Sequence, residues 1–239
     1  MAETSLTSSS PVQPSLPGRL VGVLISPRAT YAAVAARPRA FGALAVVIVV
    51  TSLAQAVFLS TEVGQDAVLD QQVRVLESFG VTIPDEAYAQ MESRVAWAPY
   101  TAAASQFVSL PLMAAIVAGL LVGVFSMLLG GAATFRHVYA VVAHSSVIIA
   151  VQQLFSMPLS YAAGKFSSAD LGVFVPMLEE TSFAALFLGA IDLFIIWWAI
   201  NLATGVGVLY KRGMSGTASG IIGIYVFIAC VLAIIRSGS

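Results

Sequence analysis

Apolar residues dominate five stretches of roughly spanning length, near Ala40–Ser60, Phe107–Leu129, Val138–Tyr161, Phe183–Leu209 and Thr217–Ile235. A helix needs about 20 mostly apolar residues to cross a hydrocarbon core of roughly 30 Å. The pattern therefore predicts an all-α bundle of five transmembrane helices. Two runs carry polar interruptions: His144, Gln152 and Gln153 in the third, and Asp192 in the fourth. Both are read as continuous helices, because irregular backbone exposed to lipid leaves its N–H and C=O groups unpaired.

Between the spans the pattern changes. In Thr61–Gln106, Leu69, Val73, Leu76 and Phe79 recur at helical spacing, then Tyr88, Met91 and Val95 do so again. Gly80 ends the first pattern, and Thr82-Ile83-Pro84 opens the second with Asp85 and Glu86 suited to its first turn. An acidic helical hairpin over one face of the bundle is predicted. It would pack on the bundle, or bind a partner or a cation, with packing preferred. Residues 1–17, rich in Ser, Thr and Pro, are expected to form a disordered tail. The first apolar run starts too late, and is too long, for a cleaved leader. Between tail and first span, Ser26-Pro27 reads as an N-cap followed by proline at the first helical position, and Pro38 closes that helix. With Leu20, Val21, Leu24 and Ile25 before it and Tyr31 and Val34 within it, this segment suits a helix pair in the headgroup layer. A plain basic anchor is the competing reading.

Charge supplies an orientation. Arg19, Arg28, Arg37, Arg39, Arg136, Lys211 and Arg212 fall on one side of the predicted topology, and Arg74, Arg94, Lys165 and Arg236 on the other. Seven basic residues against four put the N-terminus in the cytoplasm and the C-terminus outside. Composition agrees with the membrane reading: 59% hydrophobic and 10% charged residues, against about 25% charged in a soluble domain. A net charge of −1 argues against nucleic acid as a partner, and the single Cys230 excludes an internal disulfide.

Candidate chemistry is sparse. No H-E-x-x-H, G-x-S-x-G, Walker or GxGxxG motif occurs, and two histidines do not make a zinc site. No enzyme activity, metal or cofactor is implied. Asp192 is the exception among the spans, since an intramembrane carboxylate costs roughly 2.5–3.5 kcal/mol on insertion scales. On a continuous helix it shares a face with Ile196, Ala199 and Ala203, opposite Phe194, Trp197 and Asn201. Small residues on that face imply an inward carboxylate, roughly 13 Å below the outer edge at ~1.5 Å per residue. Gln152 or His144 is its expected partner. Two roles stand open, a polar clamp between helices (preferred) and a proton or cation relay. Ala115-x-x-x-Gly119-x-x-x-Gly123 and Gly216-x-x-x-Gly220, leading to Gly223, form small-residue ridges, expected to be internal helix contacts.

The segment Arg19-Leu-Val-Gly-Val-Leu-Ile-Ser-Pro-Arg28, with Tyr31 and Arg37-Pro38, resembles the pre-membrane segment of bacterial Yip-domain (Ypt/Rab-interacting protein) membrane proteins. Gly130-Gly-Ala-Ala-Thr-Phe-Arg136 with Val138–His144 resembles their third-helix entry, and Asp192-Leu-Phe-Ile-Ile-Trp197 with Gly205 and Gly207 their fourth helix. The resemblance implies a five-span domain over residues 18–239 and a non-enzymatic role. Eukaryotic members serve vesicle traffic through Rab GTPases. This chain lacks their long cytosolic region and Asp-Leu-Tyr-Gly-Pro motif, so a Rab-type partner does not carry over. The combined expectation is an inner-membrane adaptor, scaffold or accessory subunit meeting lipid and another membrane protein. The alternative is a small permease-like transport component using Asp192.

Overall fold

The computed structural model describes residues 14–128, 130–179, 181–211 and 213–237. The expected tail up to Gln13, together with Glu180 and Arg212, lies outside the described residues. Among the described residues all long elements are helices, and the only β-type contact is a single bridge between Asp170 and Asp192.

α1 (Leu16–Ile25) and α2 (Pro27–Ala36) form the pre-membrane pair. Leu16 and Pro17 were expected in the disordered tail. They are instead the first two residues of α1, because Ser15 Oγ accepts the Gly18 N–H at 3.3 Å and proline near a helix start sacrifices no hydrogen bond. α3 (Phe41–Leu59) is the first span. α4 (Glu62–Ser78) and α5 (Asp85–Val95) make the predicted hairpin. Gly80, at φ 74°, closes α4 with two bonds, Gly80 N–H to Glu77 C=O at 2.8 Å and Val81 N–H to Leu76 C=O at 3.1 Å. That is a Schellman ending, which favours glycine at this position.

α6 (Ala98–Val122) continues into a π-helical turn at Gly123–Leu128 and forms the second span. It starts well before Phe107, inside the segment expected to be loop. The alanine-rich Ala98–Gln106 stretch has low hydropathy but good helix propensity, so helix and apolar run do not share a boundary. α7 (Phe135–Ser145) and α8 (Val147–Ala163) meet at Ser146 and together make the third span. The fourth apolar run is not one helix. α9 (Phe183–Gly189) stops, three residues intervene, and α10 (Leu193–Tyr210) forms the span, followed by α11 (Met214–Ser237) as the fifth.

The third span is the axis of the bundle. Within its most apolar window 61% of residues are buried, against 17% in the second span and 11% in the fifth. Polar side chains decide this order: a helix carrying His144, Ser145 and Ser146 is stable in a bilayer only when those groups are covered by protein. Around α7, the buried Val138, Val141 and Val142 pack with Val23, Tyr31 and Val34 of the pre-membrane pair and Leu202 and Val206 of α10. The pair is therefore docked into the bundle, not merely laid along its edge.

Close approach makes this possible. A Cβ on Gly205 would stand 2.4 Å from Val141 Cγ1 and 3.1 Å from the Tyr31 ring. Gly205→Val should accordingly wedge α10 away from α7 and α2, lowering stability by about 1–3 kcal/mol, the usual cost of overpacking. Thermal unfolding in detergent would read this as a reduced melting temperature, with no such change for Gly220→Val.

Candidate functional site

Asp192 does not sit within a helix; it is the N-cap of α10, with extended backbone at φ −88° and ψ 130°. This corrects the continuous fourth helix expected from hydropathy, and with it the helical face assigned to the carboxylate. A capping carboxylate offers the backbone an alternative to helix, provided the interrupted groups find partners. Here they do. Asp192 Oδ1 accepts the N–H groups of Phe194 at 2.7 Å and Ile195 at 3.2 Å. The Tyr225 hydroxyl of α11 accepts the Asp192 N–H at 2.9 Å and donates to Ala190 C=O at 2.8 Å. The segment after α8 completes the set: Leu193 N–H donates to Ala169 C=O and Leu171 N–H to Ile191 C=O, both at 3.0 Å. The broken turn is thus satisfied by protein, the condition for irregular backbone at membrane depth.

Of the two side chains expected beside Asp192, one is there. Gln152 Nε2 donates to Asp192 Oδ2 at 2.9 Å, tying α8 to the start of α10. Gln152 lies about 16 Å along the helix from the far end of α8. His144 is elsewhere. It is fully buried, its Nδ1–H donates to Ala140 C=O at 2.8 Å, and its Nε2 has no protein partner. The carboxylate therefore receives three donors and no imidazole.

A second polar junction holds the pre-membrane pair. Asn201 of α10, 3% exposed, donates from Nδ2 to the Val23 carbonyl at 2.8 Å and accepts the Tyr31 hydroxyl at Oδ1. One amide thereby fastens both α1 and α2 to a transmembrane helix. Burial pushes the Tyr31 phenol far above its ordinary range, so it stays a neutral donor. On a continuous helix Asn201 stands opposite Asp192, where nothing in the sequence assigns it a partner. Its one signal was an amide in an otherwise apolar run, which demands a partner wherever it points.

The basic residues divide. Arg19, Arg39 and Arg136 line one open cavity of about 480 Å³, whereas Arg28, Arg37 and Lys211 are exposed elsewhere on the same end. At the opposite end, Asp70 and Arg74 of α4 form an exposed i,i+4 ion pair at 3.9 Å, worth little.

The glycine ridges, expected to be internal helix contacts, are not closely packed. A Cβ on Gly119, Gly123, Gly216, Gly220 or Gly223 would meet nothing within 4 Å. Gly119 and Gly223 are exposed and lie outside any helix seam, whereas the other side of α11 turns toward its neighbours. Gly216 and Gly220 border an apolar crevice of about 430 Å³ between α6, α10 and α11.

No curated protein and no solved structure matches this chain. A family model, the Yip1 domain, matches residues 21–236 and so takes in all five spans and most of the pre-membrane pair. The chain is a multi-pass membrane protein and belongs to the Yip1-domain family.

Proposed function

We propose that this protein is a non-enzymatic membrane adaptor that assembles with other transmembrane helices through α6 and α11. The observation that carries the reading is the exposure of Gly119 and Gly223, with no side chain or backbone packed on them, on the two least buried spans. Glycine inside a helix costs about 1 kcal/mol relative to alanine. Against lipid that cost brings no return, whereas against another helix it permits close backbone approach. The basic end is taken as cytoplasmic from the positive-inside pattern, and the resemblance to bacterial members supports an inner-membrane location.

Transport is the second reading, and the helix break at Asp192 favours it, since discontinuous helices often frame substrate sites. Against it, the Asp192 carboxylate already accepts from three protein donors, which suits a structural cap.

A photocrosslinking residue placed at Ile116 or Phe227, exposed one helical turn from Gly119 and Gly223, should yield discrete adducts in native membranes. The same probe at Leu53, exposed on α3, should not. Gly223→Leu should abolish the adduct formed from Phe227 without altering thermal unfolding. The adaptor reading fails if neither ridge crosslinks while Asp192→Asn, still folded, loses a proton or solute flux in reconstituted vesicles.

A further inference from the structure

The cavity at the basic end is built from helix starts. Leu16 and Arg19 come from the beginning of α1, Ala40, Phe41 and Gly42 from the beginning of α3, and Arg136 from the first turn of α7, with Pro38, Arg39 and Tyr139 completing the wall. A helix N-terminus carries roughly half a positive charge on its unpaired N–H groups. None of these three helices has an acid in its first turn. α3 and α7 also lack a side-chain cap, Ala40 having none to give and Thr134 being bonded to the His137 ring.

Three arginines therefore stand where helix dipoles disfavour cations. A helix start normally selects Asp or Glu. The described carboxylates do not compensate: they lie in α4, α5, the segment from 164 to 182 and the cap of α10, all on other parts of the bundle. Arg19 adds a local sign of the same deficit, because its Nε is shielded from solvent yet has no hydrogen-bond partner. Such an arrangement is unfavourable alone and favourable around an anion with several oxygens. Guanidinium forks match phosphate geometry, and uncapped helix N–H groups supply further donors.

We propose that this cavity binds a phosphate ester, supplied by the headgroup of an anionic membrane lipid. Phe41, 86% exposed at the cavity rim and at the first residue of a span, gives the acyl chains an apolar neighbour that a soluble phosphate would not use. The site is independent of the adaptor reading, since it involves neither glycine ridge.

The test uses full-length protein passed through mixed vesicles of phosphatidylglycerol and phosphatidylcholine, extracted, and weighed by native mass spectrometry. Wild type should retain phosphatidylglycerol over phosphatidylcholine by about tenfold, the scale of one charge-assisted bond. Arg19→Gln and the exposed Arg136→Gln should each remove most of that preference, while Arg28→Gln, outside the cavity, should keep it. Because Arg19 is partly buried, Arg136→Gln carries the result if Arg19→Gln fails to fold. A parallel arm adds glycerol 3-phosphate to delipidated protein. Stabilisation that vanishes in Arg136→Gln, without any lipid preference, would make the ligand a soluble phosphate ester in the same cavity. Equal retention of both lipids with no phosphate effect overturns the proposal. So does an equal loss in Arg28→Gln, which would indicate diffuse surface charge.

Discussion

Asn201→Leu should free the pre-membrane helices from the bundle and lower stability by about 2–5 kcal/mol. The substitution strands two buried partners, the Tyr31 hydroxyl and the Val23 carbonyl. Each unsatisfied buried group costs about 1–3 kcal/mol, and Val23 and Tyr31 are both fully buried. Thermal unfolding in detergent should show the loss. Tryptic cleavage after Arg28 should accelerate as the pair swings free. Adding Tyr31→Phe to Asn201→Leu should cause no further loss, because it removes one of the stranded groups. A variant that keeps the wild-type melting temperature and cleavage rate would show that packing of Val23, Tyr31 and Val34 alone holds the pair.

The second large effect belongs to Asp192. Asp192→Ala removes the acceptor for Phe194 N–H, Ile195 N–H and Gln152 Nε2 together. Loss of an N-cap costs about 0.5–2 kcal/mol, and the orphaned half-buried Gln152 amide about 1–2 kcal/mol, so the expected loss is about 2–4 kcal/mol. Asp192→Asn should cost far less, about 1 kcal/mol, since Asn retains a capping oxygen and Gln152 can rotate its amide to accept from the new Nδ2. Melting temperatures of the two variants decide the matter. Equal large losses would mean that the negative charge, not the cap, sustains the break.

Much of the architecture is legible in one dimension. The five spans follow from local hydropathy, because crossing a bilayer is a property of about 20 consecutive residues. The hairpin of α4 and α5 follows from Gly80 and Pro84, whose backbone limits act at their own positions. The separation of basic and acidic ends likewise reads directly from the order of charges between spans. Asp192 stands out for the same local reason, as a carboxylate in an apolar run.

Its conformation does not read that way. Whether the chain at 190–192 continues as helix or breaks depends on Tyr225, 33 residues away, and on Ala169, which satisfy the freed backbone groups. Asn201 finds its partner 170 residues earlier in the chain, and periodicity cannot reveal such a pairing. Gly119 and Gly223, expected from their spacing to pack inside, are exposed because the third span, carrying His144, Ser145 and Ser146, has the stronger claim on the centre. Likewise, Arg19, Arg39 and Arg136 are three unremarkable flanking charges until the fold brings three helix starts to one cavity. By itself the sequence determined which segments enter the membrane and which charges stay out, since each is set by solvation of a short stretch. Only the tertiary structure decided which polar groups meet, because hydrogen-bond and charge pairing depends on helices distant in sequence being brought side by side.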